Sequence, residues 1–342
     1  MTVTGGIHFG INLDASSQNL FRDRNTATDF VRQVDERSDF LTLEDGFARP
    51  DGDGLDAILF ANWLGARTRH AGIIAGAAIN FLEPFHVSTA IATLDYVSEG
   101  RAGLFSQSLA GDRATSARRA NGPLNGYPDT DRPALEQDFV EAIDVVRSLW
   151  DSWEDDAVIR DTTSQRFVDG AKLRYVDFKG ANFSVLGPSI TPRPPQGQPV
   201  IAAEVGGGDD AALLASIDLA FLRAGDDELL PLLDNIKSKH PDLLVFADIG
   251  IGTDNGAASA IPQWQADIDK VVATTRSFAQ AGFDGIRFRP RVSERDLVSL
   301  VNDILPALKA AGLQAENDIR SDATLRERLA LPAAANRYIA AA

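Results

Sequence analysis

The chain contains no cysteine, a single methionine and only four histidines in 342 residues. Without cysteine there are no disulfides, no thiolate metal sites and no cysteine nucleophile. The histidines, His8, His70, His86 and His240, lack the close spacing of a zinc pair. Positive charge is also scarce: 33 Lys and Arg stand against 49 Asp and Glu, a formal net charge of −16. Such a balance excludes a phosphate-tracking nucleic-acid binder and an anionic membrane surface as partners, and it serves solubility. No apolar run approaches the roughly 20 residues that span a bilayer. Met1 to Gly6 lacks the basic-then-apolar pattern of a secretory signal, so the expected location is cytoplasmic.

What is present is an apolar fraction of 44%, ample for a core, arranged as short apolar runs alternating with helical patterns. Strands are expected at Ile7–Ile11, Phe40–Leu43, Ala71–Ile79, Arg101–Ser106, Pro199–Glu204, Leu219–Arg223, Leu243–Ile251 and Phe283–Phe288. Leu55 to Arg67 places Leu55, Ile58, Leu59, Trp63 and Leu64 at the spacing of a buried helix face. Further helices are expected at 28–37, 87–97 (with Pro84 at its first turn), 134–153, 208–216, 226–239, 262–281 and 293–311. Eight strand-then-helix units with strands apolar on both faces predict one α/β domain, a (β/α)8 barrel. The excess over the roughly 250 residues of a plain barrel falls in two pieces. One is an insertion at 154–199, with a hairpin-like stretch over 172–186 and a proline-rich return. The other is a C-terminal tail at 313–342 that ends in an alanine-rich helix.

A barrel of this kind builds its site at the C-terminal ends of the strands. That rule selects Asn12, Leu13 and Asp14; Glu44 and Asp45; Asn80; Ser106, Gln107 and Ser108; Glu204 with Gly206, Gly207 and Gly208; Thr253 to Asn255; and Arg287 with Arg289. The mouth is expected to be rich in acids and amides, with His8 a possible histidine there; His86 opens the helix after the third strand, where it either reaches the mouth or is simply a first-turn polar residue. Glu44, Asp45 and Asp14 offer an oxygen-ligand alternative for magnesium, although no metal site is the leading expectation. A serine hydrolase lacks its Gly-x-Ser-x-Gly elbow. The triple glycine 206–208 leads into a helix, as a phosphate-cradling turn does, or simply makes a turn. Asp95 and Arg101 are expected to pair at the barrel base, and Trp150 and Trp153 to anchor a helix.

Several segments taken together resemble the bacterial luciferase-like flavin monooxygenases, in the branch with nitrilotriacetate and dibenzothiophene-sulfone monooxygenases. They are Phe40 to Asp45; Pro84 to Val87 with Ala92 to Ser98 and Gly100 to Gly103; Val145 to Trp153; Phe183 to Val185 with Gly187-Pro188; Pro194 to Val200; and Thr324 to Leu329 with Asn336 to Tyr338. The resemblance implies a single barrel domain over 1–342 that uses reduced FMN from a separate flavin reductase, with dioxygen, to oxidise a small organic substrate. It further implies a homodimer, for which Leu55 to Leu64 is a candidate face. Carried over by residue, it places Asn80, Ser106 and Ser108 near the flavin and Gly206, Gly207 and Gly208 at its phosphate. Glu44 and Asp45 stand near the reacting face, where either is a candidate base. Three positions depart from the family pattern: Phe105 replaces a flavin-contacting Asn, Glu136 a Tyr near the phosphate, and Asp209 follows the glycine turn. Two readings therefore stay open beside the monooxygenase: a flavin-poor homologue that binds a ligand or partner, and a deazaflavin-dependent dehydrogenase.

Overall fold

A computed structural model describes residues 6–14, 24–46, 54–108, 114–118, 129–208, 211–252, 263–264, 267–290, 293–315 and 323–339. In chain order the strands are β1 His8–Leu13, β2 Phe40–Leu43, β3 Gly72–Ala78 and β4 Ala102–Gln107. Two hairpins follow, β5 Val158–Asp161 with β6 Arg166–Val168 and β7 Val176–Lys179 with β8 Ser184–Gly187. Then come β9 Val200–Val205, β10 Leu219–Leu222, β11 Leu244–Ile251, the two-residue β12 Gln263–Trp264 and β13 Gly285–Pro290. Eight of them, β1, β2, β3, β4, β9, β10, β11 and β13, pair in parallel and in chain order, and β13 pairs with β1 to close the ring. The expected (β/α)8 barrel is what forms.

The helices are α1 Arg24–Arg37, α2 Ala57–Gly65, α3 Pro84–Val97, α4 at 114–118, α5 Arg132–Trp150, α6 Ala211–Ser216, α7 Asp226–Lys239 and α8 Ile268–Ala281. A helical stretch from Ser293 to Ala310 (α9, a π turn, then α10) and a short α11, Leu325–Arg328, complete the set. No described helix is long and apolar enough to cross a membrane.

Strand alternation sorts the core into two layers. Ile11, Leu43, Ile73, Leu104, Ile201, Leu222, Val245 and Ile286 point outward and pack beneath the helices. Phe40, Ile74, Phe105, Val200, Ala202, Leu219, Phe221 and Phe246 point inward. The four inward phenylalanines fill the lower barrel, with ring centroids 5.4 Å apart for Phe40–Phe246 and 5.8 Å for the edge-on Phe105–Phe221 pair. Large rings demand small neighbours. A side chain on Gly10 would overlap Phe40, and one on Gly285 would overlap Phe246. Leu325 of α11 and Leu329 just after it join the same inner cluster and close the barrel from the strand N-termini.

Four expectations need correction. His8 opens β1, so it lies at the base of the barrel rather than at the mouth. Asp95 and Arg101 are both buried at that base but make no ion pair. Asp95 accepts from the Ala102 and Gln196 backbone N–H groups, while Arg101 donates to the carbonyls of Gly65, Thr68 and Ala71. The buried face of α2 is Ala57, Phe60, Ala61 and Leu64, whereas Leu59 is 73% exposed. The tail has no alanine-rich helix over 329–339. Pro332 lacks an N–H, and long-range bonds from Arg193 to the Ala334 carbonyl (2.9 Å) and from Asn336 to those of Asp151 (2.9 Å) and Trp153 (3.1 Å) hold it extended.

Candidate active site

Above the aromatic layer the inward positions change character. Asn12 on β1, Thr42 and Glu44 on and just after β2, Gln107 on β4, Glu204 on β9, Arg223 just after β10, Asp248 on β11 and both Arg287 and Arg289 on β13 form the upper interior. Arg287 is fully buried, its guanidinium 3.8 Å from the Phe221 ring centre and 4.9 Å from that of Phe105. Its Nε and Nη2 donate to the two carboxylate oxygens of Asp248, each at 2.5 Å, and Nη2 also reaches Glu204 at 3.0 Å. Arg289 donates to Glu204 (2.7 Å), to Asp248 (3.2 Å) and to Glu44. Arg223 takes the other oxygen of Glu204 at 2.8 Å. A neutral branch completes the floor: Thr42 donates to Asn12 (2.8 Å), and Asn12 donates to Glu44 (3.0 Å).

Among the described residues three guanidiniums thus face three carboxylates, and their charges balance. Burial acts to raise the pKa of Glu204, but Arg289, Arg287 and Arg223 outweigh it and hold the carboxyl well below the usual range. Arg289 is likewise held protonated: burial opposes its charge, and Glu44, Asp248 and Glu204 more than offset that. Glu44, Glu204 and Arg289 keep 20–25% of their side-chain surface exposed, and Arg223 keeps 42%. These are the groups a ligand in the mouth would meet.

Of the residues singled out from sequence, Glu44 lies in this network. Asp45 accepts from the Gly46 and Ala57 N–H groups at 2.6 and 3.1 Å and so fastens the β2–α2 connection. Its own N–H donates to Gln107 Oε1 at 2.8 Å, past Gly76, where any side chain would overlap that oxygen and the Leu43 carbonyl. Ser106 shares the outward face of Leu104 and donates to the Ala202 carbonyl at 2.8 Å. Ser108 is exposed just past the end of β4. Among the described residues no group of His, Asp or Glu is arranged to hold a metal, so Asp14, Glu44 and Asp45 do not assemble a magnesium site. Thr253 to Asn255 and Asp209 lie outside the described residues.

Gly206, Gly207 and Gly208 form the turn after β9. Gly208 has φ +92°, and no described atom lies within 4 Å of a Cβ built on Gly207. Arg132, in the first turn of α5, donates to the Gly208 carbonyl at 2.8 Å and pairs with Glu136 at 2.5 Å. Asn80, buried in the turn after β3, donates to the Leu135 carbonyl (2.8 Å) and to Asp138 (3.2 Å), while its Oδ1 is buried without a partner among the described residues. Asp138 is not a residue that periodicity could single out. Burial pushes its carboxyl up to about 6. Asp248 and Arg287 did carry a signal, a charge inside an otherwise apolar strand, but their partners were hidden by distance along the chain. Phe105, where the resemblance places an Asn, is the platform beneath Arg287.

The comparisons agree with this architecture. A sequence model described as luciferase-like monooxygenase matches residues 16–225. The chain belongs to that family. N-acetyl-S-(2-succino)cysteine monooxygenase of Bacillus subtilis (strain 168) is 36% identical over 43% of this chain and 32% of its own length. Nitrilotriacetate monooxygenase component A of Aminobacter aminovorans is 31% identical over 57% of this chain and 46% of its own length. The matched segments therefore span about a third to a half of these relatives. Among solved structures, a riboflavin lyase with modified FMN and riboflavin superposes with TM-score 0.75 over 95% of each chain, at 18% identity. A likeness at that identity carries the fold alone.

Proposed function

We propose that the protein is a flavin-dependent monooxygenase that takes reduced FMN from a separate reductase and oxidises a small organic substrate at the barrel mouth. The observation that carries this reading is the set of donors and acceptors at the strand C-termini of a barrel belonging to the luciferase-like family. FMN needs an anion seat and polar partners for its ring. The open glycine turn with Arg132 beside it suits the phosphate, and the unpartnered Oδ1 of Asn80 is an acceptor suited to a ring N–H. When bound, reduced FMN supplies the electrons that place one atom of dioxygen in the substrate and release the other as water.

The remaining work belongs to this chain's side chains. Gly206 to Gly208 and Arg132 would hold the phosphate. The ion-paired floor fixes Glu44 and Arg289 in one arrangement, so charge at the mouth is organised before a substrate arrives. Glu44 would be the carboxylate that touches substrate, with Asp45 fastening the connection that follows it. The name of the Aminobacter relative, a component A, supports a reductase as partner. The 73% exposure of Leu59 on α2 supports a second copy of the chain on that face.

The test is an anaerobic titration with reduced and oxidised FMN, followed by oxygen uptake with a flavin reductase, NADH and a panel of sulfur- and carboxylate-bearing substrates. Saturable binding of the reduced form and substrate-dependent oxygen uptake are expected. A protein that binds neither redox form rejects the assignment, and turnover with a deazaflavin in place of FMN redirects it to a dehydrogenase.

A further inference from the structure

A second polar cluster lies where α5, the turn after β3 and the β7–β8 hairpin meet. Asp138, on α5, is 3% exposed and makes no salt bridge among the described residues. One of its oxygens accepts from Asn182 Nδ2 at 2.9 Å, in the turn of the β7–β8 hairpin. The other accepts from Asn80 Nδ2 at 3.2 Å. Because that same nitrogen also donates to the Leu135 carbonyl at 2.8 Å, the orientation of the Asn80 amide is fixed, with nitrogen toward α5. Its Oδ1 is left buried with no donor among the described residues, in a residue 3% exposed just past the C-terminal end of β3. An orphaned buried acceptor is costly and is normally satisfied by something.

We propose that Asn80 Oδ1 is reserved for an N–H donor of the ligand in the barrel mouth, and that Asp138 is its positioning residue, leaving it free only while ionised. The proposal rests on the flavin reading, in which the donor is a ring N–H. An ionised Asp138 is acceptor-only, so it holds the amide nitrogens of both Asn80 and Asn182 and nothing competes for Oδ1. A protonated Asp138 carries one O–H, and the unsatisfied oxygen beside it belongs to the amide it already touches. Turning that O–H to Asn80 Oδ1 takes the acceptor from the ligand and withdraws an acceptor from one of the two amides. Since burial pushes the Asp138 carboxyl up to about 6, this exchange falls in a mildly acidic range.

Among the described residues, the other charges near Asp138 do not compete for this role. Glu141, one turn along α5, accepts from the Ala181 N–H (3.0 Å) and from Gln137 (3.1 Å), and its charge adds to the upward shift. On the hairpin, Lys179 and Asp177 pair with each other at 3.8 Å in solvent. Arg118 of α4 pairs with Asp129 at 3.1 Å, both well exposed. The turn 79–81 carries no charge.

The experiment measures FMN affinity by fluorescence quenching at about pH 5 and about pH 7.5 for the native protein, Asp138→Asn and Asn80→Ala. Loss of one neutral hydrogen bond predicts about three- to tenfold weaker binding by the native protein at the lower pH. That is beyond any change shown by Asp138→Asn, which keeps every other group that titrates in this range, Asp95 and the phosphate of FMN among them. Both variants should bind at the higher pH as weakly as the native protein does at the lower. Parallel pH profiles for the native protein and Asp138→Asn overturn the proposal, as does full affinity in Asn80→Ala. Amide exchange of residues 181–183 in the ligand-free protein gives an independent readout: acid should loosen the hairpin turn in the native protein and not in Asp138→Asn. If that loosening occurs while no form binds FMN, the flavin reading fails and the Asp138 tie stands without a ligand. If neither occurs, both are wrong.

Discussion

One side chain, Arg287, separates the two halves of the barrel interior. Below it are phenylalanine rings, and above it are carboxylates. Its guanidinium can occupy that boundary because a flat, delocalised cation stacks on Phe221 while its edge meets Asp248 through two hydrogen bonds. Arg287→Met should cost on the order of 3–5 kcal/mol in urea unfolding, since Asp248 is then left buried without its main partner. Combining it with Asp248→Leu should recover at least half of that loss, because an apolar pair of similar volume carries no uncompensated charge. Equal instability of the single and double variants would show that packing over the rings, not charge, is what Arg287 supplies. Phe105 belongs to the same argument. Read by resemblance it is a missing flavin contact, and read by geometry it is the surface on which Arg287 rests.

Among the elements, α11 does more than its four residues suggest. A capping box of Thr324 and Glu327 starts it, the Gly100 carbonyl receives its first N–H at 2.9 Å, and Leu325 enters the barrel base against Gly72. Leu325→Ala should destabilise by about 2–5 kcal/mol through the cavity it leaves among fully buried neighbours. Thr324→Ala should cost about 1 kcal/mol, the worth of one cap. Thermal melts in which both variants match the native protein would remove α11 from the folding core. The strands were legible because each is a short apolar run. The alanine-rich tail misled because helix propensity is a weak preference, and here it yields to Pro332 and to side-chain bonds with residues 140 or more positions earlier. On α2 the apolar spacing was visible, but which of two adjacent apolar faces is covered depends on α3 and β3.

Across the whole molecule, buried carboxyls act in two directions as pH changes. Burial pushes Asp95 and Asp138 each up to about 6. Between about pH 4 and 6 the folded chain therefore holds more protons at these two sites than the unfolded chain, and their contribution to stability is present below that window and lost as pH rises through it. Glu204 and Asp218 run the other way. Burial alone would raise both, but neighbouring arginines hold them down, so their contribution is present above the ordinary carboxylate range and lost on acidification. Urea unfolding of Asp138→Asn against the native protein isolates one member of the first pair. The native protein should compare more favourably at about pH 4.5 than at about pH 7, by on the order of 1–3 kcal/mol. A difference that is flat with pH would mean that Asp138 titrates alike in both states.

The sequence alone determined the barrel, because eight apolar runs separated by helical patterns have few other ways to bury both faces of a parallel sheet. The excess of acidic residues set the sign of the net charge, but because the strands are apolar on both faces the sequence left open which of their residues point inward. It did not determine what those inward residues do. Arg287 meets Asp248 across 39 positions and Glu204 across 83, and Arg289 meets Glu44 across 245. Only ring closure sets such residues side by side, and only burial makes their charges bind one another rather than water. Pairing within the mouth, and the unfilled acceptor on Asn80, are therefore products of the tertiary structure.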